Sequence, residues 1–243
     1  MSRGMIPFDQ RSVSGSYDVP SLNSDKLSNS AVQGIINAWD NNTVIDVYGR
    51  PWIKSDTVHI VLRTNKDNAA YLIGGLSSEY KYRDTTGLYV RGDGICLLLD
   101  SSILNARSML RENYVKYSQL LYIAIRDCSR ARELRGEHYE HVKKLIKTLK
   151  RKRINEYEVD FDELTGEVLH GASAEFSHIR SVSIYPELAS HIENGLIVNK
   201  STHRIITQNG INDENELLDL CDLNDWDVSW YHNFDDYLEQ LGC

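Results

Sequence analysis

The hydrophobic pattern of this chain changes period several times, and those changes mark its elements. A short helix is predicted over Ser30 to Trp39. Alternation over Thr43 to Val47 then reads as a strand that turns at Tyr48-Gly49-Arg50-Pro51 into Trp52 and Ile53, a hairpin. Helical stretches follow at Ser55 to Leu62 and Asn68 to Leu76, then strand-like Tyr80 to Tyr82 and Leu88 to Val90, then a turn at Gly92-Asp93-Gly94. Together they predict a small α+β domain over residues 28–103, preceded by a loop or ordered arm over residues 1–27, whose Ser, Gly, Asp and Asn show little periodicity.

From Leu104 to Asn155 the pattern is helical, with no Pro and a single Gly, Gly136. Leu110, Tyr114, Tyr117, Leu121 and Ile125 recur at three- or four-residue steps and mark a buried stripe. Two long helices broken near Asp127 to Ser129, or one very long helix, fit equally. Residues 104–154 are therefore expected to form a long basic helical connector, able to space two domains or to build a homodimer interface. Packing on its own domain is the commoner outcome. Beyond it, Glu175 to Arg180 and Gly195 to Asn199 read as strands and Lys200 to Thr207 as a helix, with Asn199 at its N-cap. The expected fold class is α+β, with residues 155–243 as a second unit that ends in short helices.

Charge separates the two parts. The chain carries −8 overall. From Ile154 onward only Arg180, Lys200 and Arg204 oppose 19 acidic residues, a net −16, which leaves +8 on the rest. The positive excess peaks in VKKLIKTLKRKR, where Lys143, Lys144, Lys147, Lys150, Arg151, Lys152 and Arg153 place seven charges in twelve residues. Such density attracts phosphate backbones through counterion release, without reading sequence. A solvated helix face, or a contact for the acidic part, accounts for it equally well.

No stretch approaches the roughly 18 uninterrupted apolar residues of a membrane span, and MSRGMIPFDQRS lacks the apolar core of a signal peptide, so the cytosol is the expected compartment. Cys96, Cys128, Cys221 and Cys243 form no CxxC pair and read as small buried hydrophobes. Asp93, between two glycines, lacks the spacing of a nucleotide loop. His138 and His141 read as polar positions on a solvated helix, and His170 and His191 as loop residues.

Two segments resemble known families. GRPWIKSD with LYVRGDGICLLLDSS is loosely similar to the N-terminal domain of phage antirepressors of the BRO type. EVDFDELTGEVLHGASAEFSHIRSVSIYPELASHIENGLIVNKSTHRIIT resembles an HNH nuclease module, a ββα-metal finger: His178 ends the first strand, Asn194 precedes Gly195, and His203 lies one turn into the helix. FDELTGE resembles the opening turn of many members, without its cysteines.

The resemblance implies phosphodiester hydrolysis in DNA, in a phage or defence setting. His178 would be the general base, Asn194 the brace of its loop, and His203 a ligand for a divalent cation, Mg²⁺ or Mn²⁺. The family's other ligand, His or Asp, is here Ser177, a poor donor toward a divalent ion. Glu175, Asp160 or Asp162 are the carboxylates near enough in sequence to replace it. The rival expectation is a catalytically inactive scaffold that regulates by binding DNA or, through its acidic part, a basic protein.

Overall fold

The computed structural model describes residues 8–9, 13–21, 27–170 and 173–241. Most of the expected arm, together with Cys243, lies outside the described residues. The chain is α+β and divides into two compact units, residues 3–138 and residues 139–243. No described helix is long and apolar enough to cross a membrane.

In the first unit a five-stranded antiparallel sheet is built from β1 (Phe8–Asp9), β2 (Thr43–Asp46), β3 (Pro51–Lys54), β4 (Lys81–Asp84) and β5 (Gly87–Arg91), in the order β1-β2-β3-β5-β4. Strand alternation sends Ile45, Ile53 and Val90 to the main core. Val44, Trp52, Tyr82 and Tyr89 face the other way and gather with Phe8 from the arm. The helices α1 (Asn29–Asn42), α2 (Val58–Val61), α3 (Lys66–Gly74), α4 (Gly92–Leu104) and α5 (Met109–Arg126) complete the unit. The β2–β3 turn is tied by the buried Asp46 carboxylate, which accepts from the amides of Tyr48 and Arg50, from Arg50 Nε and from Trp52 Nε1.

Three expectations change here. Gly92-Asp93-Gly94 is the first turn of α4 rather than a separate turn, and Gly92 and Gly94 lie so close to Pro51, Tyr122 and Tyr80 that no Cβ fits. Of the expected stripe on α5, Tyr114, Tyr117, Leu121 and Ile125 are buried, in the core of this unit, whereas Leu110 is exposed. That helix is thus part of the first domain rather than a connector. The break falls where expected, at Asp127 and Cys128, and α6 (Ser129–Glu156) follows. His138 on α6 packs edge-on against Tyr48, 4.9 Å between ring centroids, instead of facing solvent.

In the second unit the strand pair is β6 (Ala174–His178) against β7 (Gly195–Asn199), antiparallel, with Ser177 opposite Leu196 and His178 opposite Gly195. The helix α7 (Lys200–Gln208) continues from β7 without a loop, then α8 (Glu214–Asn224) and α9 (Trp230–Leu241). A lone hairpin is marginal in water, and here both of its faces are covered. Ala174, Phe176 and Ile197 pack on Leu149 of α6, whereas Leu196 and Val198 join Ile206, Leu217, Trp230 and Phe234. Gly195 is required by packing: a Cβ there would lie 2.1 Å from Phe176 Cζ.

The turn after α6 fastens these elements. Asp162, 1 % exposed, accepts from the amides of Leu164 and Thr165 with one oxygen and from Asn199 N and Thr202 Oγ1 with the other. It thereby places a carboxylate at the start of α7, where the helix dipole favours negative charge. Asn199 does occupy the N-cap position, but its side chain makes no capping bond. It accepts from His170 N and donates to Val168 O instead. Glu163 exchanges bonds with Ile197 along the edge of β7, through its backbone and its carboxylate, and pairs with Arg153 at 2.7 Å. Arg153, 6 % exposed, also donates to Ile192 O and lies over Tyr157.

Removing the Asp162 carboxylate strands buried donors from three segments at once. Asp162→Ala is expected to cost about 3 kcal/mol in urea unfolding, and alanine at the exposed neighbour Asp160 less than about 0.5 kcal/mol. Equal effects at the two positions would contradict this role for Asp162.

Candidate functional site

The loop from β6 to β7 is closed by one side chain. Asn194 is fully buried; its Oδ1 accepts from Arg180 N at 2.9 Å, and its Nδ2 donates to Arg180 O at 3.0 Å and to Leu188 O at 3.2 Å. Its backbone carbonyl accepts from Ile179 N at 3.0 Å. Both ends of the loop and its middle are thus held by one planar amide. Arg180, leaving the strand, forms a two-pronged pair with Glu214 at 2.6 Å and stacks on Tyr185. Burial alone would raise the Glu214 carboxyl, but the Arg180 guanidinium holds it below the usual range.

Leu188 precedes Ala189, whose carbonyl meets His178 Nε2 at 3.1 Å. A carbonyl can only accept, so neutral His178 carries its proton on Nε2 and presents the Nδ1 lone pair. No described residue hydrogen-bonds to that nitrogen. Burial lowers the affinity of the ring for a proton, the Ala189 carbonyl partly offsets this, and charge on His203 lowers it again. The shift favours the unprotonated ring, the form a general base needs.

The strand and the helix bring Glu175 and His203 into contact: His203 Nδ1 and Glu175 Oε2 are hydrogen-bonded partners. A carboxylate on one ring nitrogen directs the other, Nε2, outward as a potential ligand. Strand alternation puts Glu175 and Ser177 on one face of β6 and Phe176 and His178 on the other, where the Phe176 and His178 rings meet edge-on, 5.1 Å between centroids. No hydrogen bond joins the two histidines: His178 lies on the Phe176 face at the end of β6, whereas His203 meets Glu175 on the other face, near the strand's start. Ser177 is buried at 4 % exposure and adds only a neutral hydroxyl.

Among the described residues no three His, Cys, Asp or Glu side chains gather as a ready metal cage. Asp162 is committed to its four hydrogen bonds, and Asp160 is exposed on the turn before it. What remains is an open donor set, His203 Nε2 with Glu175 beside it. A single imidazole nitrogen suits a borderline divalent cation better than the hard, oxygen-seeking Mg²⁺, leaves the rest of the shell to water and substrate oxygens, and does not fit a closed structural site.

The basic cluster divides in two. Lys143, Lys144, Lys147, Arg151 and Lys152 are exposed. Lys150 donates to Ala174 O at 2.5 Å, and Arg153 is the buried partner of Glu163. Lys143, Lys147 and Arg151 recur every four residues, on the side of α6 opposite Val142 and Leu149. A cleft of about 590 Å³ lies elsewhere in this unit, between Tyr157, Phe161, Asp227 and Trp230, and contains neither histidine.

No protein-family model, curated protein or solved structure matches the chain.

The His178 imidazole should titrate below the ordinary 6.5 in an NMR experiment, and His203→Ala should move its midpoint upward by removing a positive neighbour. Because the unfolded chain binds the proton first, stability should fall as pH drops below about 6.5. A midpoint at or above that value contradicts the assignment.

Proposed function

We propose that the second unit is an HNH-like phosphodiesterase site acting on DNA, with His178 as general base. The supporting observation is that His178 Nε2 meets the Ala189 carbonyl, which selects the Nε2–H tautomer and leaves Nδ1 without a hydrogen-bond partner among the described residues, while burial lowers the ring's affinity for a proton.

In this reading His178 Nδ1 accepts a proton from water as the water oxygen attacks phosphorus. The P–O3′ bond breaks, and its electron pair goes to the departing oxygen. His203 Nε2 would hold a divalent cation, with Glu175 orienting the ring in place of a second direct ligand at Ser177. A bound divalent cation supplies neutralisation of the charge that builds on that oxygen. Asn194 touches no substrate; it holds the loop that carries Ala189. Lys143, Lys147 and Arg151 attract the phosphate backbone without reading bases. The −16 carried from Ile154 onward repels DNA, so approach along α6 is favoured. A phage or defence role is compatible with such an activity.

One observation favours a second reading: a neutral hydroxyl at Ser177, where the resemblance implies a metal ligand, suits a scaffold that binds DNA or a basic protein without cleaving.

Incubating supercoiled plasmid with the full chain and graded Mg²⁺ or Mn²⁺ separates the two. Nicking that His178→Ala slows by about 10²-fold or more supports the nuclease. Binding without nicking under either metal supports the scaffold. Replacing Lys143, Lys147 and Arg151 together by alanine should weaken DNA binding and flatten its dependence on log salt by up to about 2.7, at about 0.9 for each phosphate no longer neutralised. An unchanged salt slope excludes this face from DNA binding.

A further inference from the structure

The β6–β7 loop is held from a third direction, by the last helix. Leu188, 3 % exposed, belongs to the same hydrophobic cluster as Trp230, Phe234 and Leu238 of α9. Three residues on, His191 Nδ1 is hydrogen-bonded to Tyr237 Oη of the same helix. The backbone between these points is a closed turn: Ala189 N donates to Pro186 O, His191 N to Leu188 O and Asn194 N to His191 O. Ala189 lies inside that turn at 1 % exposure, and its carbonyl is the group that meets His178.

Two supports therefore determine where the Ala189 carbonyl lies. Asn194 takes Leu188 O from within the loop, and Tyr237 takes His191 from outside it. Asn194 belongs to the HNH resemblance, whereas the α9 contact does not.

We propose that Tyr237 is a positioning residue for His178, acting through His191 on the turn that carries the Ala189 carbonyl. The catalytic meaning of this rests on the nuclease reading. The mechanical part does not, because the same turn would hold His178 in an inactive scaffold. Tyr237 meets the loop at His191, so it acts by keeping the acceptor of the Nε2 proton still. Freed of that hydroxyl, the turn opens more often, His178 loses its fixed tautomer for part of the time, and Nδ1 is presented in fewer molecules. A loosened base costs turnover more than substrate binding, since the phosphate-attracting face of α6 is untouched.

The test follows the His178 Nε2–H in the ¹⁵N-labelled full chain, assigned by its disappearance in His178→Ala. Its exchange with water should quicken about tenfold in Tyr237→Phe and equally in His191→Leu. The double variant should be no worse than either, because the two act as one contact. His191→Gln, which still offers the hydroxyl a partner, should stay near the parent. In the nuclease assay Tyr237→Phe should lower kcat about tenfold with KM unchanged.

Unchanged exchange in Tyr237→Phe, or effects of the two single changes that add in the double variant, overturns the proposal. A fall in overall stability that His191→Gln shares also overturns it, for the pair would then be merely structural. A parent chain that never cleaves DNA, but whose Nε2–H exchange responds as described, keeps the positioning role and removes the nuclease reading.

Discussion

A single buried amide controls the candidate site. The loop between the two strands has to return within a few ångströms of its start, and its ends are also its functional part. Asn194 meets this with one acceptor and two donors in one plane, bound to Arg180 on both its backbone groups and to Leu188 at mid-loop. Aspartate lacks the donors, and glutamine places the same group one methylene further out. Because the group is fully buried, breaking any of its bonds would leave a polar atom without water. The orientation of His178 follows from this closure at one remove, through Ala189.

A second constraint keeps the strand pair and helix together beneath that loop. Two short strands cannot sustain themselves, so the Asp162-Glu163 turn binds the far edge of β7 and the start of α7. Arg153 shows the trade-off between this framework and surface charge: the last residue of the basic run is withdrawn to neutralise Glu163. The exposed positive face is consequently shorter than the run of letters suggests. It still belongs to a helix that, in an otherwise acidic unit, can attract a polyanion, which gives the unit a polarity independent of any particular contact.

Much of this was legible in the sequence. The strands read at Glu175 to Arg180 and Gly195 to Asn199 correspond to β6 and β7, although β6 ends at His178, and the helix read from Lys200 is α7. The order His178, Asn194, His203 carries the pattern of the site. The break at Asp127 and Cys128 is also visible in the local pattern. What the sequence hides are partnerships across long separations. Nothing in the letters links Arg180 to Glu214, Asp162 to Thr202 or His191 to Tyr237, since each is a single polar residue whose mate is set by the fold. A charge run cannot announce which of its members is buried, so Arg153 reads like its neighbours. The same limit applies to α5, whose apolar stripe predicts a buried face without saying in which unit, and to Asn199, whose position at a helix start conceals that its side chain serves the segment before it.

The central claim is that the Asn194 closure presents His178 Nδ1 to a phosphate that also meets the His203 edge. The most direct measurement is a crystal structure of the full chain with a divalent cation and a DNA duplex made uncleavable by phosphorothioate substitution. The account predicts a backbone phosphate whose phosphorus is one water away from His178 Nδ1, with the cation on His203 Nε2. A duplex bound elsewhere on the chain, or a His178 ring whose Nδ1 is turned into the protein, would contradict it.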